Sequence, residues 1–112
     1  GYSVVSERAV PLVRAVLQYA ALRGWRAFHD NATNAPRRCS GCGAIRHLPR
    51  NAPGWPDLVL VRRPDVLFVE LKSDAGKVDG DQRAWLDDLR ACGQRVYVWR
   101  PSDWPQVERV LL

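Results

Sequence analysis

Apolar positions along this chain switch between a helical and a strand period. From Val10 to Leu22 they recur at Val10, Val13, Leu17 and Ala20, the spacing of one helix face. Leu12, Val16 and Tyr19 add a second strip, which predicts a helix covered on more than one side, with Gly24 as its stop. Pro11 leaves two starts open: a helix capped by Ser6 and kinked at Pro11, or one that begins near Pro11 with Glu7 in the lead-in turn. Trp25 to His29 reads as a first strand. Leu58 to Val61 and Val66 to Val69 are apolar, β-branched runs that read as two more. The Arg62-Arg63-Pro64-Asp65 turn joins them, because proline presets φ and aspartate favours turn positions. Asp81 is placed to cap a helix from Gln82 to Cys92, stopped by Gly93, with Trp85, Leu86, Leu89 and a buried Cys92 on its apolar face. Arg95 to Trp99 alternates as a strand, Tyr97 and Trp99 on one face and Val96 and Val98 on the other. Ser102 opens a short final helix through Val110, with Pro105 in its first turn. This order predicts an α/β fold, a mixed sheet flanked by helices. At 112 residues the chain fits one domain, interrupted by a polar insert at residues 31–50.

The two central strands carry the candidate chemistry. A hairpin symmetric about Arg63-Pro64 sets Asp57 opposite Glu70, and directly opposed Cβ atoms lie about 4.5–5.5 Å apart. Strand alternation returns Lys72 to the face of Glu70. Two unpaired carboxylates that close repel unless protonated or metal-bound, and ligands that are all oxygen suit magnesium or manganese. Such a metal polarises a phosphoryl oxygen and acidifies a bound water. Lys72 then orients that water or offsets developing charge. Phosphodiester hydrolysis fits all three residues; the plain alternative is a surface Glu70–Lys72 ion pair beside a turn aspartate.

Gly54-Trp55-Pro56-Asp57, then Glu70-Leu71-Lys72, then Gln82 with Leu86 and Leu89 resembles the VRR-NUC (virus-type replication–repair nuclease) branch of the PD-(D/E)XK nucleases, from about Ser6 to about Ser102. The resemblance implies a restriction-endonuclease-like core and DNA cleavage with Mg²⁺ or Mn²⁺. It implies that Asp57 and Glu70 are metal ligands, that Leu71 lends its carbonyl, and that Lys72 is the catalytic lysine. Gln82 matches the glutamine opening the helix after the active-site strand. Glu7 matches an acid on the first helix, and equally reads as a first-turn acid favoured by the helix dipole. Stand-alone members resemble homodimeric resolvases of branched DNA such as four-way junctions. The apolar Val10–Leu22 helix and the Val110-Leu111-Leu112 terminus are the chain's own candidates for a dimer surface.

The insert adds a second motif. Cys39-Ser40-Gly41-Cys42-Gly43 is a C-x-x-C-G turn of the zinc-knuckle type, and His29 and His47, the only two histidines, flank it. Cys39, Cys42, His47 and His29 form a candidate Cys₂His₂ zinc set, and His29 alternatively approaches the catalytic face. A redox pair, free thiols and a site shared across a dimer are the other readings. Arg37, Arg38, Arg46 and Arg50 surround the knuckle as a candidate DNA clamp or a solubilising surface. Trp55, beside Pro56-Asp57, is placed to line the cleft or stack on a base.

Net charge is +5, and all but two of the seventeen basic residues are arginine, which favours a polyanionic partner. No apolar run reaches the length of a membrane span and no signal peptide is evident, so a cytoplasmic protein of a phage or mobile element acting in a bacterial host is expected. The competing function is a nucleic-acid-binding zinc module on a nuclease-like fold without turnover.

Overall fold

A computed structural model of the chain describes residues 9–30, 36–38, 41–42, 45–47 and 52–112. The elements run α1 (Ala9–Leu22), β1 (Arg26–His29), β2 (Pro36–Arg38), β3 (Ile45–His47), β4 (Leu58–Arg62), β5 (Asp65–Leu71), α2 (Gly80–Ala91), β6 (Arg95–Trp99), a 3₁₀ turn (Pro101–Asp103) and α3 (Trp104–Leu111). Four strands form the main sheet in the order β1-β4-β5-β6. β1, β4 and β5 are antiparallel neighbours, and α2 crosses over to bring β6 in parallel with β5. This is the mixed α/β sheet the periodicity predicts. No helix among the described residues is long and apolar enough to cross a membrane.

One face of the sheet is closed by α1 and α3. Leu58 and Leu60 of β4, Leu67, Val69 and Leu71 of β5 and Trp99 of β6 meet Leu12, Val16, Ala20, Val107 and Leu111, all buried. Burying a side chain of leucine size is worth about 1.5–3 kcal/mol, so this layer dominates the stability of the domain. The buried line on α1 draws on both strips, Leu12 and Val16 from the second and Ala20 from the first, while Val13, Leu17 and Tyr19 pack at its margin. The described part of α1 runs from Ala9, with Pro11 near its start, and Ser6 lies outside the described residues. Glu7 lies outside the described residues.

Arg62 ties the ends of this layer together. Its guanidinium lies 4.4 Å from the Trp25 ring centre and donates to the carbonyls of Arg23 (2.8 Å) and Leu112 (3.2 Å), while the Trp25 indole N–H donates to Leu111 (3.0 Å). A cation over the last carbonyls of α3 also complements the helix dipole.

Four details differ from expectation, the first being that α3 opens at Trp104 after Asp103, with Ser102 inside the preceding 3₁₀ turn. Asp79, not Asp81, caps α2, and Gln82 reciprocates in a capping box. Cys92 is an exposed C-cap beyond the helix rather than a core residue. The insert has structure of its own, since β2 and β3 pair antiparallel with Arg37 opposite Arg46.

Candidate active site

The β4–β5 hairpin has the predicted register: Leu58 pairs with Val69 and Arg62 with Asp65, which sets Asp57 and Glu70 opposite each other at the end of the ladder. Leu67, Val69 and Leu71 point into the core, so Phe68, Glu70 and Lys72 point to the other face. Asp57 closes the ladder in place of a backbone acceptor. Its Oδ2 accepts from the Leu71 N–H at 2.9 Å, and its own carbonyl accepts from Asp30. The Leu71 carbonyl leaves the strand on the same side as its N–H, toward Asp57.

Glu70 is only 2% exposed. Its Oε2 accepts from the Gln82 Nε2 at 2.8 Å and lies 3.5 Å from the Lys72 Nζ. Its Oε1 is buried and has no hydrogen-bond partner among the described residues. Burial first, and the neighbouring Asp57 charge second, push the Glu70 carboxyl up from 4.5 to about 7, against the pull of Lys72. An acid this disfavoured as an anion, with one oxygen unsatisfied, is what a site for a divalent cation presents before the cation is counted. Oxygen donors from Asp57, Glu70 and the Leu71 carbonyl fit magnesium or manganese.

Gln82 is held by the start of α2. Its side-chain oxygen accepts from the Asp79 N–H at 3.0 Å and its own N–H donates to Asp79 Oδ1 at 2.9 Å. With the amide oxygen committed to Asp79, the NH₂ faces Glu70. The start of α2 sits close to Asp57 because Gly54, at φ +86, lets the lead-in backbone touch it: a Cβ there would lie 2.5 Å from the Asp81 carbonyl carbon. The glycine of Gly54-Trp55-Pro56-Asp57 is therefore a packing requirement of the site. On the far side of Lys72, the Arg100 guanidinium donates to the carbonyls of Ser73 and Gly76 and fixes the loop leading to α2.

Trp55 packs edge-to-face on Trp85 (4.9 Å between centres) and Phe68 (5.8 Å), and the Trp85 indole N–H donates to the Pro53 carbonyl at 3.1 Å. It is a half-buried wall joining α2 to β5. His29 pairs with Leu58, which places it on the core side of the sheet, away from Glu70. Of the candidate zinc residues, Cys42 is an exposed free thiol in the turn between β2 and β3, His47 lies on β3, and Cys39 falls outside the described residues. No group of three or more potential ligands that could hold a metal ion occurs among the described residues. Arg37, Arg38 and Arg46 lie on the β2–β3 ribbon, and Arg50 lies outside the described residues. The sequence motifs mark Gly54 but not Asp79 or Arg100 as supports of the site. The D-x-x-Q spacing of Asp79 and Gln82 was a readable capping-box signal.

A paired acid and lysine at the end of a hairpin, buttressed by Gln82 in the first turn of α2, form a candidate active site on an α/β sheet. The VRR-NUC domain profile matches residues 17–103, most of the chain. The chain belongs to the VRR-NUC family and is a nuclease family member. The match starts beyond Glu7 and ends just before α3. No curated protein and no solved structure matches the chain.

Proposed function

We propose that the chain is a Mg²⁺- or Mn²⁺-dependent endonuclease that hydrolyses phosphodiester bonds in DNA. The observation that carries this reading is the buried Glu70 Oε1 without a partner, beside a second carboxylate and a lysine. Asp57, Glu70 and the Leu71 carbonyl hold the metal, which when bound supplies Lewis-acid polarisation of the phosphoryl oxygen and an acidified water. Gln82 fixes the rotamer of Glu70 through its amide. Lys72 is too close to Glu70 to be a remote surface charge, and its ammonium orients the attacking water or offsets charge on the phosphoryl oxygens. Glu7 is a further candidate ligand supplied by the chain before α1.

Branched DNA such as a four-way junction is the substrate we favour, cut by a homodimer whose two-fold symmetry matches that of the junction. The arginine-bearing β2–β3 ribbon acts as a clamp on the DNA backbone. Cys39, Cys42 and His47, with His29 a weaker fourth ligand because it faces the core side, would pin the ribbon with one zinc; elemental analysis of protein purified without added metal tests this. A phage or mobile-element protein working in a bacterial cytoplasm is the setting that suits these properties.

Cleavage of single-stranded, duplex, flap and four-way DNA under Mg²⁺ and under Mn²⁺ tests the proposal. Glu70→Gln and Asp57→Asn are each expected to abolish cutting while the fold persists, because amides of nearly equal shape bind the metal poorly. Lys72→Ala is expected to be inactive as well. Metal-dependent cleavage at wild-type rate by Glu70→Gln would sink the assignment. DNA binding by the wild type without turnover on any substrate would favour the binding-module reading.

A further inference from the structure

The face of the sheet that carries Glu70 is covered by α2 over β5 and β6, while part of the surface over β1 and β4 is open. Phe28 is 60% exposed there, and Val61 and Val66 are more than a third exposed. Phe28 pairs with Val59, and Val59 with Phe68, so these three side chains form one row across the sheet, beside the row of Asp57 and Glu70. Arg26 lies two residues from Phe28 on the same face, opposite Val61. Arg26, Ala27, Phe28, Val59 and Val61 line a shallow depression of about 360 Å³.

The position of this row decides what it could hold. Phe28 is one strand over and two residues along from Asp57, about 8 Å at standard strand spacing and rise. That is about the reach from a scissile phosphate to the base of an adjoining nucleotide. An exposed aromatic on a sheet surface is a platform on which any base can stack, provided the base is not already stacked in a duplex. Arginine beside it supplies the charge that the flanking phosphate requires, on a chain of net charge +5.

Resting on the nuclease reading of the Asp57–Glu70 site, we propose that the Phe28–Arg26 surface receives an unpaired nucleobase of the substrate strand next to the cleaved phosphate. The open sheet face then selects for DNA with an unstacked nucleotide at the cut, as at a flap, a junction branch point or a single strand. It gives no advantage to an intact duplex.

Binding without turnover tests this separately from cleavage. A labelled single strand, and the same strand in a blunt duplex, are titrated with wild type, Phe28→Ala, Phe28→Trp and Arg26→Ala, with calcium in place of magnesium, and anisotropy is read. Phe28→Ala is expected to weaken single-strand binding about tenfold, within the range of one lost base–aromatic stack, and to leave duplex binding unchanged. Phe28→Trp is expected to retain it, and Arg26→Ala to flatten its salt dependence. Equal single-strand affinity of Phe28→Ala and wild type would overturn the proposal, as would parallel losses on both probes. So would a shift from dimer to monomer in sedimentation without a selective loss, which would assign the surface to a second copy of this chain. A wild type that cuts DNA while Phe28→Ala binds normally refutes the base platform alone. A protein that cuts nothing yet loses single-strand affinity on Phe28→Ala refutes the nuclease reading alone.

Discussion

The two faces of the sheet are built from the same four strands and do opposite things. On one, Leu58 and Leu60 of β4 and Leu67, Val69 and Leu71 of β5 are sealed by α1 and α3, with Arg62 and Asp65 only at its end, and among the described residues no charged side chain is fully buried there. On the other, the alternate residues of β5 bury Glu70 under the start of α2, and the surface toward β1 opens on Phe28. A carboxylate would be expelled from the first face. On the second it is retained at a cost, offset in part by Gln82 and Lys72, with one oxygen left without a partner among the described residues. The difference teaches that stability and chemistry are segregated by strand alternation, residue by residue.

Three substitutions, one in each environment, separate these roles. Leu60→Ala cuts a fully buried side chain from the sealed face and is expected to cost about 2–5 kcal/mol in denaturant unfolding. A loss below 1 kcal/mol there would mean that α1 and α3 do not close this layer tightly.

Glu70→Gln acts in the other direction, in metal-free protein. The Glu70 carboxyl is raised from 4.5 to about 7 by burial and by Asp57. Its contribution to stability is therefore fully present below pH about 4.5 and is lost as pH rises through about 7. The wild type is expected to lose on the order of 3 kcal/mol more than Glu70→Gln between those limits. Unfolding curves at several pH values with a chelator present check this, and parallel pH profiles would contradict it. Phe28→Ala, on the open surface, is expected to change stability by less than about 0.5 kcal/mol, read from its thermal midpoint. A larger loss would show that Phe28 is covered in solution.

Much of this was legible because strands alternate strictly. The β-branched runs around Arg63-Pro64 left one symmetric register, and that register alone aligned Asp57 with Glu70. The helix caps were harder. Asp79 and Asp81 both precede the apolar face of α2, and the choice falls to Asp79 because Gln82 reciprocates across three residues. In α1 neither apolar strip is buried as a whole, because the sheet and α3 together cover the line through Leu12, Val16 and Ala20, which crosses both. The β2–β3 ribbon was invisible because its strands are short and arginine-rich, with no apolar alternation to betray them. Trp55 illustrates a further limit: its sequence position beside Asp57 was informative, but its ring packs on Phe68 of β5 and on Trp85 of a helix thirty residues away.

The claim on which the rest depends is that Asp57 and the buried Glu70 share a divalent cation. Calorimetric titration of Mn²⁺ into metal-free protein at neutral pH, without DNA, tests it directly. The expected result is saturable binding by the wild type and by Lys72→Ala, and its loss in both Asp57→Asn and Glu70→Gln. Unchanged Mn²⁺ affinity in Glu70→Gln would contradict the account.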